Sequence, residues 1–255
     1  MWRFRGSHAT LDAFLEFVRE ACRRQFAGLA GAQLYVDGCR PWYRDRAGVA
    51  TVHAGIVAIP EVHQALEVSG FAGPHWPRRI PADVRCTLRP RQAEAVDAYI
   101  NGSYLGRGVV QLPTGVGKTR VAWAVAESLG GHWLVMTRGQ QLAAQLQREF
   151  DELGPGQGAP HPWIHATSYG MATDVQLQAA HGIIVDECHE AATPTRIDVL
   201  LRGRAAWWLG LSATPFERAS NNLWTCAILG PLVYTMTFTE AVEEGLIVRP
   251  VLNDK

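Results

Sequence analysis

The run Gln111-Leu112-Pro113-Thr114-Gly115-Val116-Gly117-Lys118-Thr119 constrains this chain more than any other stretch. It follows Gly108-Val109-Val110, which predicts a short buried strand, and precedes Val121 to Leu129, which predicts a helix stopped by Gly130-Gly131. Strand, glycine loop, helix is the context in which a phosphate-binding loop works. Gly115 and Gly117 let the backbone curl so that successive N–H groups from Thr114 through Val116 to Thr119 face one anion, at a helix N-terminus whose dipole favours negative charge. Lys118 supplies a flexible point charge to the outer phosphates and Thr119 a hydroxyl to Mg²⁺. The chain has 22 Arg but only two Lys, the other being the terminal Lys255. Lysine stands at the one place where a compact ammonium suits and a planar guanidinium would fit poorly.

A chain of 255 residues, 47% of them hydrophobic, can build one large or two modest domains with ample core. Its formal charge is zero, so no global basic field announces nucleic acid. Residues 1–81 carry 10 Arg against 7 acids, and the remainder carries 14 basic against 17 acidic residues. The five cysteines are widely spaced with no C-x-x-C pair, which argues against a zinc ribbon or a disulfide framework and fits a reducing cytosol. No apolar signal core opens the chain and no run of about 18 apolar residues occurs in it, so the expectation is a soluble, intracellular protein without a membrane partner.

Apolar spacing predicts an amphipathic helix from Thr10 to Phe26, capped by Thr10, then strands at Gln33–Val36 and Val49–Ile59. Pro60 can start a second helix, Glu61 to Ser69. These make a small α+β unit over residues 1–80. The loop Arg40 to Arg46 sets Arg40 and Arg44 beside Trp42 and Tyr43, a composition that suits phosphate contact with base stacking and equally an ordinary hairpin. Ala72 to Pro81, with three prolines, reads as a stiff linker. Beyond it, over residues 81–255, apolar runs alternate with helical segments, the signature of a parallel sheet with crossover helices. Strands are predicted at Gly108–Leu112, Trp133–Thr137, Trp163–Ala166, Ile183–Asp186 and Trp207–Ala213. Helices are predicted at Arg91–Ile100, Val121–Leu129, Leu142–Glu152 and Thr195–Leu201.

Ile183-Ile184-Val185-Asp186-Glu187-Cys188-His189 is the second anchor. A buried strand here delivers two carboxylates at its C-terminal end, where ligands collect in an open parallel sheet. Asp186 suits a Mg²⁺ ligand and Glu187 a base that orients or deprotonates attacking water. The D-E-x-H box, together with the phosphate loop, resembles the superfamily two helicases and translocases, over Leu88 to about Pro250. That resemblance implies a RecA-like α/β motor domain using ATP and Mg²⁺. It casts Gln92, in Leu88-Arg89-Pro90-Arg91-Gln92, as the reader of adenine. It makes Ser212 and Thr214 of Ser212-Ala213-Thr214-Pro215 couple nucleotide state to DNA grip, with His189 in the same network. Arg138-Gly139-Gln140-Gln141-Leu142 departs from the family's P-T-R-E-L pattern, leaving Arg138 and Gln140 as possible phosphate contacts, and Ala166-Thr167-Ser168-Tyr169 offers Thr167.

Asp186 to Thr195, Leu209 to Pro215, Leu229 to Tyr234 and Thr237 to Val248 resemble the UvsW-type and repair-helicase branch, whose members remodel branched DNA. Thr237-Phe238-Thr239-Glu240 is also a capping box opening a short helix that Gly245 ends. On this reading the chain is the N-terminal half of a DNA motor, the location being cytoplasmic or a phage or bacterial nucleoid. A second RecA-like domain, in another chain or a further segment, would supply the arginine finger. A nucleotide-binding, DNA-binding regulatory subunit without turnover and an RNA helicase are the alternatives. P-loop kinases and GTPases are disfavoured, since they are not expected to combine D-E-x-H with S-A-T-P.

Overall fold

The computed structural model describes residues 2–5, 8–25, 42–44, 49–62, 64, 80, 84, 87–103, 105–153, 163–216 and 222–248. Its organising element is a six-stranded sheet in the order β6-β5-β7-β8-β4-β9 with every neighbouring pair parallel. The strands are β4 (Arg107–Gln111), β5 (Trp133–Thr137), β6 (Ile164–Ser168), β7 (Gly182–Asp186), β8 (Trp207–Ser212) and β9 (Leu232–Thr235). The first five coincide with the predicted strands to within two residues.

Parallel strands covered on both faces read as continuous apolar runs, and alternate side chains then enter opposite cores. Val109, Leu134, Met136, Ile183 and Val185 pack on one face, while Val110, Val135, Ile184, Leu209 and Leu211 pack on the other. The second face is covered by α3 (Pro90–Gly102), α4 (Lys118–Leu129) and α5 (Gln140–Leu153). The first is covered by α7 (Pro194–Leu201) and α8 (Asn222–Leu229). Two short helices, α6 (Asp174–Ala179) and α9 (Phe238–Glu243), complete this layer arrangement.

The N-terminal residues form a separate three-stranded antiparallel sheet, order β1-β3-β2, from β1 (Trp2–Arg5), β2 (Trp42–Arg44) and β3 (Val49–Val52). Helix α1 (His8–Gln25) starts two residues before the predicted Thr10 cap, so Thr10 lies inside it. The predicted strand Val49–Ile59 ends at Val52, and Ala54–Val57 is instead a short helix, α2. Ile56, Val57, Ala58 and Ile59 are fully buried, and a segment buried all round carries no helical periodicity to betray it. Residues 60–62 and 64 are helical, as Pro60 suggested. The expected strand at Gln33–Val36, the loop residue Arg40, the predicted linker apart from Ile80 and the loop Gly154–Gly158 lie outside the described residues. Val18, Ala21, Cys22, Val52 and Ile56 share one continuous core with the α7/α8 face of the sheet.

Candidate functional site

Three strand ends build the site. β4 runs into the phosphate loop, where Gly115 and Gly117 have φ of +89° and +96°, the left-handed backbone that only glycine adopts without strain. Gly117 is also the residue before α4, so Lys118 and Thr119 occupy the helix's first turn with its free N–H groups. β8 lies directly beside β4, and the Leu112 N–H donates to the Ser212 carbonyl at 3.0 Å, which fixes the loop to the end of β8. β7, on the other side of β8, delivers Asp186 and Glu187.

Glu187 has φ +46° and ψ +54°, a left-handed conformation costly for a residue with a side chain. Its carboxylate meets the Lys118 ammonium, Oε1 to Nζ at 2.9 Å, while Oε2 accepts from the Ser212 hydroxyl at 3.3 Å. Ser212 is fully buried, and its Oγ also meets His189 Nδ1 at 2.8 Å and accepts from the Thr214 N–H at 3.1 Å. Lys118, Glu187, Ser212, His189 and Thr214 are therefore one contiguous polar network assembled from positions 118 to 214. Asp186 lies beside it, and burial with the neighbouring Glu187 charge raises its carboxyl to a pKa of about 6.

Thr119 Oγ1 donates to Glu149 Oε2 at 2.8 Å, and Gln145 Nε2 holds the other oxygen of Glu149 at 3.0 Å. Glu149 and Gln145 had no sequence signal, because the fold brings α5 to the phosphate loop from 30 residues away. The chemistry of the donor set fits a magnesium ion: a Thr119 hydroxyl in the first turn of α4 and an Asp186 carboxylate at the end of β7, with Glu187 next to it in the chain.

Gln92 is buried at the start of α3. Its Nε2 donates to the Val116 carbonyl at 2.7 Å and its Oε1 accepts from the Arg89 N–H at 3.0 Å. Both ends of the amide thus engage the phosphate loop and its own helix start, and each end keeps one further hydrogen-bonding position. Thr114 and Gly115 are exposed, Val116 is buried, and Gly115 lies under Ile247.

The expected nucleic-acid contacts are dispersed. Arg138, at the end of β5, and Gln140, opening α5, are exposed on the same sheet edge. Thr167 lies inside β6 and is only 6% exposed, so its side chain is not presented to solvent there. Trp42 and Arg44 fall on β2, whose backbone alone is described, and Arg40 falls outside the described residues. Glu190, which immediately follows the box, joins the two regions: it faces Arg138 at 3.6 Å, Arg196 at 3.8 Å and His189 Nε2 at 3.9 Å. Arg196 also lies over the Tyr169 ring at 5.2 Å. Adjacency to the box was the only sequence signal for Glu190.

Residues 85–168 match the model of the type III restriction enzyme res subunit family. The DNA 3'-5' helicase XPB of Kineococcus radiotolerans is 29% identical over 182 residues, covering 63% of this chain and 32% of that protein. The Rad25 protein of Haloarcula marismortui is 27% identical over 190 residues, covering 67% of this chain and 29% of its own length. The chain thus spans about a third of the curated relatives it matches. The crystal structure of the UvsW helicase from bacteriophage T4 superposes with a TM-score of 0.55 at 15% identity, over 91% of this chain and 90% of that one. At that identity the likeness is one of fold. Among the described residues no helix is long and apolar enough to cross a membrane.

Proposed function

Since this chain carries a superfamily two helicase motor domain, we propose that it hydrolyses ATP at the phosphate loop and uses the cycle to remodel double-stranded or branched DNA. The carrying observation is the network in which the Lys118 ammonium, the Glu187 carboxylate and the His189–Ser212 pair are in mutual contact. It supports the following division of labour. The loop N–H groups of Thr114 to Thr119 cradle the phosphates at the start of α4. When ATP arrives, the ammonium of Lys118 exchanges the Glu187 carboxylate for the outer phosphates. Glu187 is then free to orient water and take its proton. Thr119 and Asp186 would hold Mg²⁺, which when bound neutralises charge on the phosphates. Ser212, bonded to both Glu187 and His189, reports that exchange to Thr214 and, through Glu190, to Arg138.

DNA as the substrate is supported by the similarity to the XPB and Rad25 proteins, which are named as DNA 3'-5' helicases, and by the Arg138/Gln140 edge. We assign residues 1–80 to a DNA-binding unit and residues 81–255 to the motor. A second RecA-like domain, supplied by another chain or a further segment, would complete the ATPase with an arginine finger.

Nucleotide binding tests the site. A fluorescent ATP analogue should bind the wild-type chain and bind Glu187→Gln as tightly or more tightly, because that change frees Lys118. It should bind Lys118→Ala at least about tenfold more weakly, in line with loss of a charged hydrogen bond. Equal affinity for all three proteins would refute the assignment.

A further inference from the structure

At the edge of the parallel sheet opposite the phosphate loop lies a cavity of about 120 Å³. Arg107, the first residue of β4, and Trp208, in β8, form its floor, and Gly203 and Ile228 close it from the connections before β8 and β9. His53 and Ala54, from the corner between β3 and α2, form the remaining wall. β4 separates this cavity from the phosphate loop by four residues of strand, about 13 Å. It is therefore a different place from the nucleotide site, on the seam between the N-terminal unit and the motor.

Its charge is one-sided. The Arg107 guanidinium stacks over the Trp208 ring at 4.8 Å and donates through one nitrogen to the Ile228 carbonyl near the end of α8. That carbonyl and ring use one N–H and one face, and among the described residues no carboxylate is paired with Arg107. His53 is the second ionisable side chain of the lining, only 8% exposed, with its ring edge against Trp224 at 5.1 Å. A guanidinium that keeps several donors, faces an open space and has no counter-charge is the arrangement that takes up an oxyanion. Burial lowers the Arg107 pKa to about 10, and burial, with a smaller part from neighbouring positive charge that includes Arg107, lowers that of His53 to about 4; an anion between them would oppose the charge part of the His53 shift.

We propose that this cavity is a binding site for one tetrahedral oxyanion of the phosphate class, held by Arg107 with His53 as a second partner. The volume suits a single phosphate group and excludes a nucleotide, since pockets for larger organic ligands start at about 300 Å³. A bound anion would tie the N-terminal unit to the first strand of the motor. Free phosphate and the terminal phosphate of a nucleic acid share this chemistry.

The test follows the imidazole resonance of His53, identified with His53→Gln, as inorganic phosphate is titrated against chloride at matched ionic strength. The full chain carrying Lys118→Ala is used so that the phosphate loop does not compete. A saturable shift with phosphate but not chloride, weakened at least about tenfold by Arg107→Gln, is the expected result. If Arg107→Gln does not fold, the saturable response of His53 in the Lys118→Ala chain decides alone. A linear, chloride-like response, or one seen only when Lys118 is present, overturns the proposal. A 5'-phosphorylated oligonucleotide that shifts His53 where its unphosphorylated twin does not assigns the source to a nucleic-acid end. A response to inorganic phosphate alone assigns it to the free anion.

Discussion

Removing the fully buried hydroxyl of Ser212 leaves His189, Glu187 and the Thr214 N–H, all only partly exposed, each short of a partner. Ser212→Ala should therefore lower stability by about 1–3 kcal/mol in chemical denaturation. It should also reduce the stimulation of ATP turnover by DNA more than the basal rate, because the severed bonds lie between the nucleotide and Arg138. An unchanged stimulation ratio would remove Ser212 from the coupling path. Asp186 makes a pH-dependent prediction. Its pKa is raised in the folded chain, so the folded state holds the proton more tightly than the unfolded state. Stability without nucleotide should fall as pH rises from about 4 to about 6, and the full cost applies above that window. Mg²⁺-nucleotide affinity should move the opposite way, falling as pH drops through about 6, since the carboxylate is the binding form. Asp186→Asn should flatten both profiles, as read by denaturation and by titration with Mg²⁺-ADP. Lys118, Asp186, Glu187 and His189 were legible because glycines, apolar runs and acids stand next to one another in sequence. Glu149 was not, because its partner Thr119 is reached only through helix packing.

Helix α8 reads Asn-Leu-Trp-Thr-Cys-Ala-Ile-Leu, apolar with no polar stripe, which is why no helical period marks it. The structure supplies the reason: α8 is covered by the sheet on one side and by α2 on the other, and Cys226, Ala227, Ile228 and Leu229 are buried. α2 approaches so closely that a Cβ at Gly55 would lie 2.0 Å from the Cys226 carbonyl oxygen. Gly55→Ala should cost about 1–3 kcal/mol through forced separation of the two helices, seen as a lower denaturation midpoint. A wild-type midpoint would show that the helices are free to part. The same burial explains why Val49–Ile59 reads as one strand although it is a strand and a helix. By contrast the Thr237 cap was legible, since its hydroxyl accepts from the Glu240 N–H at 3.2 Å in the predicted capping box. β9 escaped notice because it is four residues long and only three of them pair, with a register shift against β4.

At the scale of the molecule, composition and alternation indicated a parallel sheet but could not order it. That β8 lies between β4 and β7, bringing Lys118 to Glu187, is a fact of topology, and it is what turns two motifs into one site. The N-terminal unit is joined to the motor by a shared core, so DNA held by one would bear mechanically on the other. The most direct test of the motor is steady-state ATP hydrolysis by this chain with and without forked DNA, in wild-type and Glu187→Gln proteins. The motor assignment predicts slow, DNA-responsive turnover that rises steeply when a second RecA-like domain is added, and loss of turnover with retained nucleotide binding in Glu187→Gln. Turnover in Glu187→Gln equal to wild type would contradict it.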